Sequence, residues 1–449
     1  MKREILLNAF DMNTVGHIQQ GMWRHPRDQS HRHAELRYWT DLARTLERGL
    51  FDGIFLADVL GIYDVYDGGP EAALRNAVQV PLGDPMMVIP AMAAVTEHLG
   101  FGVTCTTTYE PPFLFARRMS TLDGLTGGRI GWNIVTGYLD SAARAMGMDI
   151  QVPHDERYDW ADDYLDTVYR LWEGSWEDGA VLADRRSGVY TDPARVHRVQ
   201  GAGRYKMDAT HLCAPTPQRT PVLYQAGASS RGRRFAATHA ECVFVNGTTK
   251  KQVAELVADL RAQARHPIKV FVGATVVVGR TDAEAADKVA DYHSYASVEG
   301  ALAHFSASTG MDFAKLDMDA PINAGPPTQA NQSNVEAITT RSASVWTKRK
   351  LIDSLILGSR QSPIIGSPAT VADALQSWVE EADIDGFNLS RTVTPECIND
   401  FIDLVVPELQ ARGVYKTAYR PGTLRDRLFG HPRLPDTHRA AAARFGAVS

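Results

Sequence analysis

Short runs of apolar residues alternate almost from end to end with longer stretches whose apolar positions recur every three or four residues. The short runs EILLNAF (4–10), GIFLAD (53–58), FGVTCTTT (101–108), RIGWNIVT (129–136), PVLYQAG (221–227), ECVFVN (241–246), IKVFVGATVVVG (268–279) and GFNLS (386–390) read as strands. Helices are expected from Leu36 to Leu50, Pro85 to His98, Pro112 to Leu125, Tyr158 to Trp172, Arg231 to His239, Val253 to Ala264, Ala283 to Ser297, Pro368 to Glu381 and Pro395 to Arg412. This alternation predicts an α/β fold around a parallel sheet. Eight strands with intervening helices predict a (β/α)8 TIM barrel, a single domain over 1–449, in preference to an open doubly wound sheet. The first strand also lacks the G-x-G-x-x-G that a dinucleotide-binding sheet would place after it.

Three segments are longer than a strand-to-helix loop needs: about 8–33, about 59–84 and about 299–365. Loops that follow barrel strands gather at the C-terminal face, where active sites lie, so the first insertion is expected to line a pocket. Its sequence, NAFDMNTVGHIQQGMWRHP, carries Met12, His17, Met22 and Trp23 where a structureless connector would carry small polar residues.

Composition narrows the function without naming it. At 44% hydrophobic and 22% charged residues the chain is an ordinary globular sequence, and a formal net charge of −6 leaves no basic field for nucleic acid. No stretch approaches the roughly 20 apolar residues of a membrane span, and the N-terminus lacks an apolar signal core, so a cytoplasmic location without membrane contact is expected. The four cysteines show no CxxC spacing and read as small hydrophobes of the core. His31 and His33 form an H-x-H too far past the first strand to be barrel metal ligands, so no metal is expected. The G-x-S-x-G elbow of serine hydrolases is missing as well.

Polar residues close several strands. Asp58 ends the second, Thr106 to Thr108 the third, and Asn133 with Thr136 the fourth, which puts them on one rim. Each alone could cap the following helix. The fifth strand runs into Gly227, Ala228, Ser229 and Ser230 before an arginine-rich helix. Small residues with hydroxyls and free backbone N–H groups at a helix N-terminus suit an anion, most often a phosphate, although a plain Ser-Ser cap would look similar.

Several stretches, NAFDMNTVGHIQQGMWRHP, FLADVLGIYDVY, TTTYEPPFLFARRMSTLDGLTGGRIGWNIVTGYLDSAARAMG, HDERYDWADDYL, LWEGSWEDGAV, TPQRTPVLYQAGASSRGRRFAATHAECVF and DGFNLS, together resemble the bacterial-luciferase-like flavin monooxygenases. Within that family the resemblance is to the branch that includes nitrilotriacetate, dibenzothiophene-sulfone and, most strongly, long-chain alkane monooxygenases. It extends over nearly the whole chain.

The resemblance implies a two-component system. A separate NAD(P)H-dependent flavin reductase would deliver reduced FMN (FMNH2), and this chain would use it with O2 to oxygenate a small, largely apolar organic substrate, a long-chain alkane among the candidates. A homodimer or homotetramer is implied as well. Carried over by motif, Asp58, Thr106 and Asn133 would flank the isoalloxazine ring, with Gly137 and Tyr138 along the cofactor. Tyr158 and the turn of Gly227, Ala228, Ser229 and Ser230 would hold the ribityl chain and phosphate. His17, Tyr63, Asn133 and His304 would serve catalysis, with Met12, Met22 and Trp23 beside His17 over the reactive face of the flavin. The chain departs from the alkane-oxidising pattern at Thr14, where a Cys is expected, and at Tyr138, where a His is expected. Flavin binding is therefore expected with the substrate left open. Two other readings remain, an F420-dependent oxidoreductase of the same superfamily and a flavin-binding protein without turnover.

Overall fold

The computed structural model describes residues 3–227, 229–247, 249–323, 329–340, 344–355, 357 and 363–446. Eight strands follow one another around a ring: β1 (Leu6–Met12), β2 (Gly53–Ala57), β3 (Gly100–Thr106), β4 (Ile130–Val135), β5 (Val222–Gln225), β6 (Cys242–Val245), β7 (Lys269–Val278) and β8 (Gly386–Ser390). Each pairs in parallel with the next, and β8 returns to β1, so the sheet closes into the expected barrel.

Alternation along the strands sorts the side chains into two cores. Outward residues such as Leu7, Ile54, Leu56, Phe101, Val103, Trp132 and Ile134 meet the surrounding helices in the main cluster. Helix α1 (Leu36–Arg48) shows why these helices form: Tyr38, Trp39, Leu42, Ala43 and Leu46 recur on one face, and that face is buried. Inward residues Leu6, Phe55, Val222, Tyr224, Phe244 and Phe271 fill the lower barrel. Gly131 leaves room for the Tyr224 ring there, since a Cβ would fall 2.4 Å from Tyr224 Cε2. A short C-terminal helix, Leu424–Phe429, opened by a Thr423–Asp426 capping box, seals the N-terminal mouth by adding Leu424 and Leu428 to this cluster. Higher in the barrel the inward positions turn polar, with Asn8, Thr104, Thr106, Asn133, Thr275, Asn388 and Ser390.

Proline decides most of the departures from the expected helices. The stretch from Pro85 to His98 is a tight turn at Pro85–Met87 and a short helix at Ile89–Ala93, because Pro90 can begin a helix but cannot continue one. The stretch from Pro395 to Arg412 divides into Glu396–Asp400, a π turn at Phe401–Val405, and Val406–Ala411 with Pro407 in its first turn. The helix expected to begin at Tyr158 starts at His154, directly after Pro153, and a π turn at Arg170–Gly174 follows it. The segment 299–365 is more ordered than a loop: helices run over Val298–Thr309, Gln332–Ile338 and Lys348–Leu355, and Ile364–Gly366 pairs with the far end of β7. A hairpin of Val181–Asp184 and Val189–Thr191 was not anticipated either. Of the four unpaired cysteines only Cys242 is fully buried, which corrects the reading of all four as core residues.

Candidate functional site

The rim residues converge above the polar half of the barrel. Asn133 points inward from β4 and donates from Nδ2 to Thr104 Oγ1 at 3.0 Å, while its Oδ1 has no hydrogen-bond partner among the described residues. Asn388, inward on β8, likewise leaves its Oδ1 without one. Both amides are buried, and a buried acceptor without a donor is costly, so the pair asks for a ligand or water that carries hydrogen. Thr106 ends β3. Gly137, at φ +69°, lies beside it, and a Cβ at Gly137 would come within 3.8 Å of Thr106 Oγ1. Only glycine takes that backbone conformation without strain.

Asp58 follows β2 and is the side chain of no helix cap among the described helices, so the capping reading does not account for it. Burial pushes its carboxyl up to about 7, with Asp84 adding a smaller push in the same direction. A group balanced in this way near neutrality is typical of functional clefts.

Tyr63, Tyr138 and His304, distant in sequence, form one hydrogen-bonded group. The Tyr63 hydroxyl lies 2.9 Å from that of Tyr138 and donates to Gln79 Oε1 at 2.5 Å. The Gln79 amide nitrogen lies 3.4 Å from His304 Nε2, and the His304 ring stacks on Tyr63 with centroids 5.5 Å apart and planes 8° from parallel. Because the one Tyr63 proton goes to an acceptor-only oxygen, Tyr138 is the donor in the phenol pair. Gln79 escaped the sequence reading: it stands in the second insertion, outside any strand end or motif, at φ +54°.

His17 is buried with its ring edge-on to Phe10, centroids 4.5 Å apart, and its Nδ1 has no hydrogen-bond partner among the described residues. Burial holds its pKa well below the usual imidazole value, reinforced by the charges of Arg391 and His304. The ring is therefore neutral. The residues expected beside it divide differently: Met22 packs among Val277, Tyr292 and Val393, and Trp23 lies at the surface with its indole donating to Asn76 O at 3.2 Å. Met12 is buried at the end of β1. His17, Met22 and Trp23 nonetheless line one small cavity, so the three meet there although Met22 also belongs to the neighbouring cluster.

At the turn after β5, Ser229 caps the helix Ser230–His239 by accepting from Gly232 N at 3.0 Å. Tyr158 is buried against this turn, with its ring beside His154, and His154 Nε2 lies 3.5 Å from Ser229 Oγ. The Arg231 guanidinium is held by Asp159 and Asp162 at 2.9 and 2.6 Å, so its charge is already paired. Gly227 precedes the turn, and Ala228 lies outside the described residues. His154 was missed because it sits at a helix start 75 residues before Ser229 in sequence. No helix among the described residues is long and apolar enough to cross a membrane.

Comparison with known proteins assigns this arrangement. The luciferase-like monooxygenase family model matches residues 18–385. The chain belongs to the luciferase-like monooxygenase family. It is 50% identical to a dimethyl-sulfide monooxygenase of Hyphomicrobium sulfonivorans, over 100% of this chain and 95% of that protein. It is also 50% identical to the long-chain alkane monooxygenase of Geobacillus thermodenitrificans, over 100% and 99% of the two chains. A solved long-chain alkane monooxygenase superposes with a TM-score of 0.91 over 99% of this chain and 100% of that one, at 49% identity. A riboflavin lyase solved with modified FMN and riboflavin gives 0.92 at 35% identity, over 98% and 100%. The chain is thus a flavin-dependent monooxygenase, and the two unpartnered amide oxygens fit a flavin, whose ring carries N–H donors.

Proposed function

We propose that this chain is the oxygenating component of a two-component system, taking reduced FMN from a separate NAD(P)H-dependent reductase. Its substrate is a small, largely apolar organic molecule, with dialkyl sulfides and long-chain alkanes as the leading candidates. The observation that carries the reading is the pair of inward amide oxygens on Asn133 and Asn388, without partners among the described residues, at the mouth that His17, Tyr63, Tyr138 and His304 surround.

In this reading Asp58, Thr106, Asn133, Gly137 and Tyr138 hold the ring system. Tyr158, Gly227, Ala228, Ser229 and Ser230, joined by His154, hold the ribityl phosphate. Bound reduced flavin supplies the electrons that activate O2. The protein's own part is to orient and to exclude water. Neutral amides and hydroxyls hydrogen-bond the ring edge without delivering a proton out of turn, and His17, held neutral by burial, accepts or passes a proton beside the substrate. Gln79 ties Tyr63 to His304, so that the phenol and imidazole act from fixed positions.

The test supplies FMN, NADH and a flavin reductase in air, follows oxygen uptake, and identifies products by mass over dimethyl sulfide, linear alkanes, dibenzothiophene sulfone and nitrilotriacetate. Substrate-dependent uptake with one oxygen atom added to product is expected. Flavin binding without any substrate-dependent uptake would replace the proposal with a non-catalytic binder, and turnover with reduced F420 in the absence of oxygen would replace it with hydride transfer.

A further inference from the structure

His17 is placed by a segment that side-chain packing alone does not hold. A cavity of about 10 Å³, the room that one water molecule needs, is lined by Val15, His17, Gln19, Met22, Arg391 and Thr392 among others. Gln19 Oε1 shares with His17 Nδ1 the lack of a hydrogen-bond partner among the described residues.

Gln79 N donates to Gly16 O at 2.9 Å and Thr14 Oγ1 to Pro81 O at 2.7 Å, and Arg391 supplies a further restraint from the barrel side. Pairing of Phe10 with Ser390 puts Asp11 and Arg391 side by side just beyond the last rung shared by β1 and β8. Both side chains are buried, and Arg391 Nη1 lies 3.1 Å from Asp11 Oδ1 and 3.3 Å from the Tyr38 hydroxyl. Nη2 donates to the carbonyls of Thr14 and Val15 at 2.7 and 2.9 Å. One planar group thus joins the end of β1, helix α1 and the two peptide units that lead directly to His17.

We infer that Arg391 is a positioning residue: its fork fixes the Thr14 and Val15 carbonyls, and through them presents the His17 ring to the pocket in one orientation. The inference rests on the reading of His17 as a group that faces the reacting substrate. A lysine could keep the charge beside Asp11, but its single nitrogen cannot reach the carboxylate, the phenol and both carbonyls with the geometry of a guanidinium. Arginine is therefore required for its shape as well as its sign.

Two variants separate the roles. Arg391→Lys keeps the charge and loses the fork. Arg391→Met combined with Asp11→Asn loses both while leaving no unpaired buried carboxylate. The first readout needs no cofactor: ring signals of His17 in the NMR spectrum of the FMN-free protein, assigned by difference from His17→Phe. In both variants these signals should shift or broaden while the histidines beyond reach of Arg391, all but His17 and His33, keep theirs. The second readout is the ratio of product formed to oxygen consumed with FMN and reductase present. It should fall tenfold or more, with hydrogen peroxide making up the difference and FMN affinity staying within twofold. An arginine of purely structural importance would lower the melting temperature and leave both the His17 signals and the product ratio of the folded protein unchanged, and that result overturns the inference. Should Arg391→Lys fail to fold, the double variant carries the same comparison. If the wild-type protein forms no product at all, the proposed function falls while the ring signals still decide the role of Arg391.

Discussion

At the N-terminal mouth of the barrel, three acids stand one residue before a strand, and each is met from two sides. Asp52 accepts from Leu7 N at 2.8 Å and pairs with Lys416 at 2.8 Å. Glu241 accepts from Leu223 N at 3.0 Å and pairs with the buried Arg425 at 2.7 Å. Asp385 accepts from Val270 N at 2.9 Å and faces Arg261 and Lys269 at 2.9 and 3.1 Å. At the C-terminal mouth, the amide oxygens of Asn133 and Asn388 and Nδ1 of His17 are buried without partners among the described residues. Both mouths thus bury polar groups, and they differ in whether the protein itself completes them. Groups completed internally stabilise the fold; groups left incomplete cost stability that a bound ligand can recover. The lower mouth holds the barrel together, and the upper mouth is prepared for something that arrives later.

Breaking the lower mouth should give the largest effect. Glu241→Ala leaves the Arg425 charge buried among carbonyls, including those of Thr220 and Pro221, without its carboxylate. A loss of about 3–5 kcal/mol is expected in urea unfolding, with FMN affinity of the folded fraction unchanged. A loss under about 1 kcal/mol would remove the contrast between the mouths.

The next effect comes from the upper mouth and has the opposite sign. Asp58 is held up to about 7 in the folded chain, against about 4 for an ordinary Asp. Between those values the folded state keeps a proton that the unfolded state has released. Stability therefore falls as pH rises through that window and stays at the lower level above it. Asp58→Asn should flatten the dependence and be more stable than wild type at pH 8, by on the order of 2–4 kcal/mol, while oxygenation drops. Equal urea midpoints for variant and wild type at pH 8 would show that Asp58 bears no such strain.

Smaller effects sharpen the comparison further. Ser229→Asp retains a side chain able to cap the helix Ser230–His239 but adds a negative charge at the turn proposed to hold the phosphate. FMN fluorescence titration should show affinity weaker by tenfold or more, about 1.4 kcal/mol, with stability within about 0.5 kcal/mol of wild type. Unchanged FMN affinity would move the phosphate elsewhere. Asn133→Leu should change least: about fivefold weaker FMN binding, the worth of about 1 kcal/mol of hydrogen bonding, with urea stability within about 1 kcal/mol of wild type because loss of the hydrogen bond to Thr104 is offset by removal of an unpartnered acceptor. A large stability loss in that variant would mean that Asn133 belongs with the internally completed groups.

The eight strands were legible in the chain, since an apolar run bounded by turn residues reads locally, and so were polar residues near their ends: Asp58 follows β2, Thr106 ends β3, and Asn133 lies two residues before the end of β4. The sequence also marked the turn before Ser230, because a helix N-terminus announces itself within a few residues. Proline at 90 and 407 shortened helices that periodicity alone would have continued. The pairings between distant segments, by contrast, arise only in the folded chain. Gln79, bonded to Tyr63, meets His304 across 225 residues, and Arg391 reaches back 377 residues to Thr14. The acids at the lower mouth find their bases on helices and loops that barrel closure brings beside them, Lys416, Arg425 and Arg261, and not by spacing. Hydrophobic periodicity specifies which face of an element is buried, whereas a hydrogen bond between elements depends on where closure of the barrel brings each side chain. Which buried acceptors remain unpartnered is therefore fixed only once the ring of eight strands has closed.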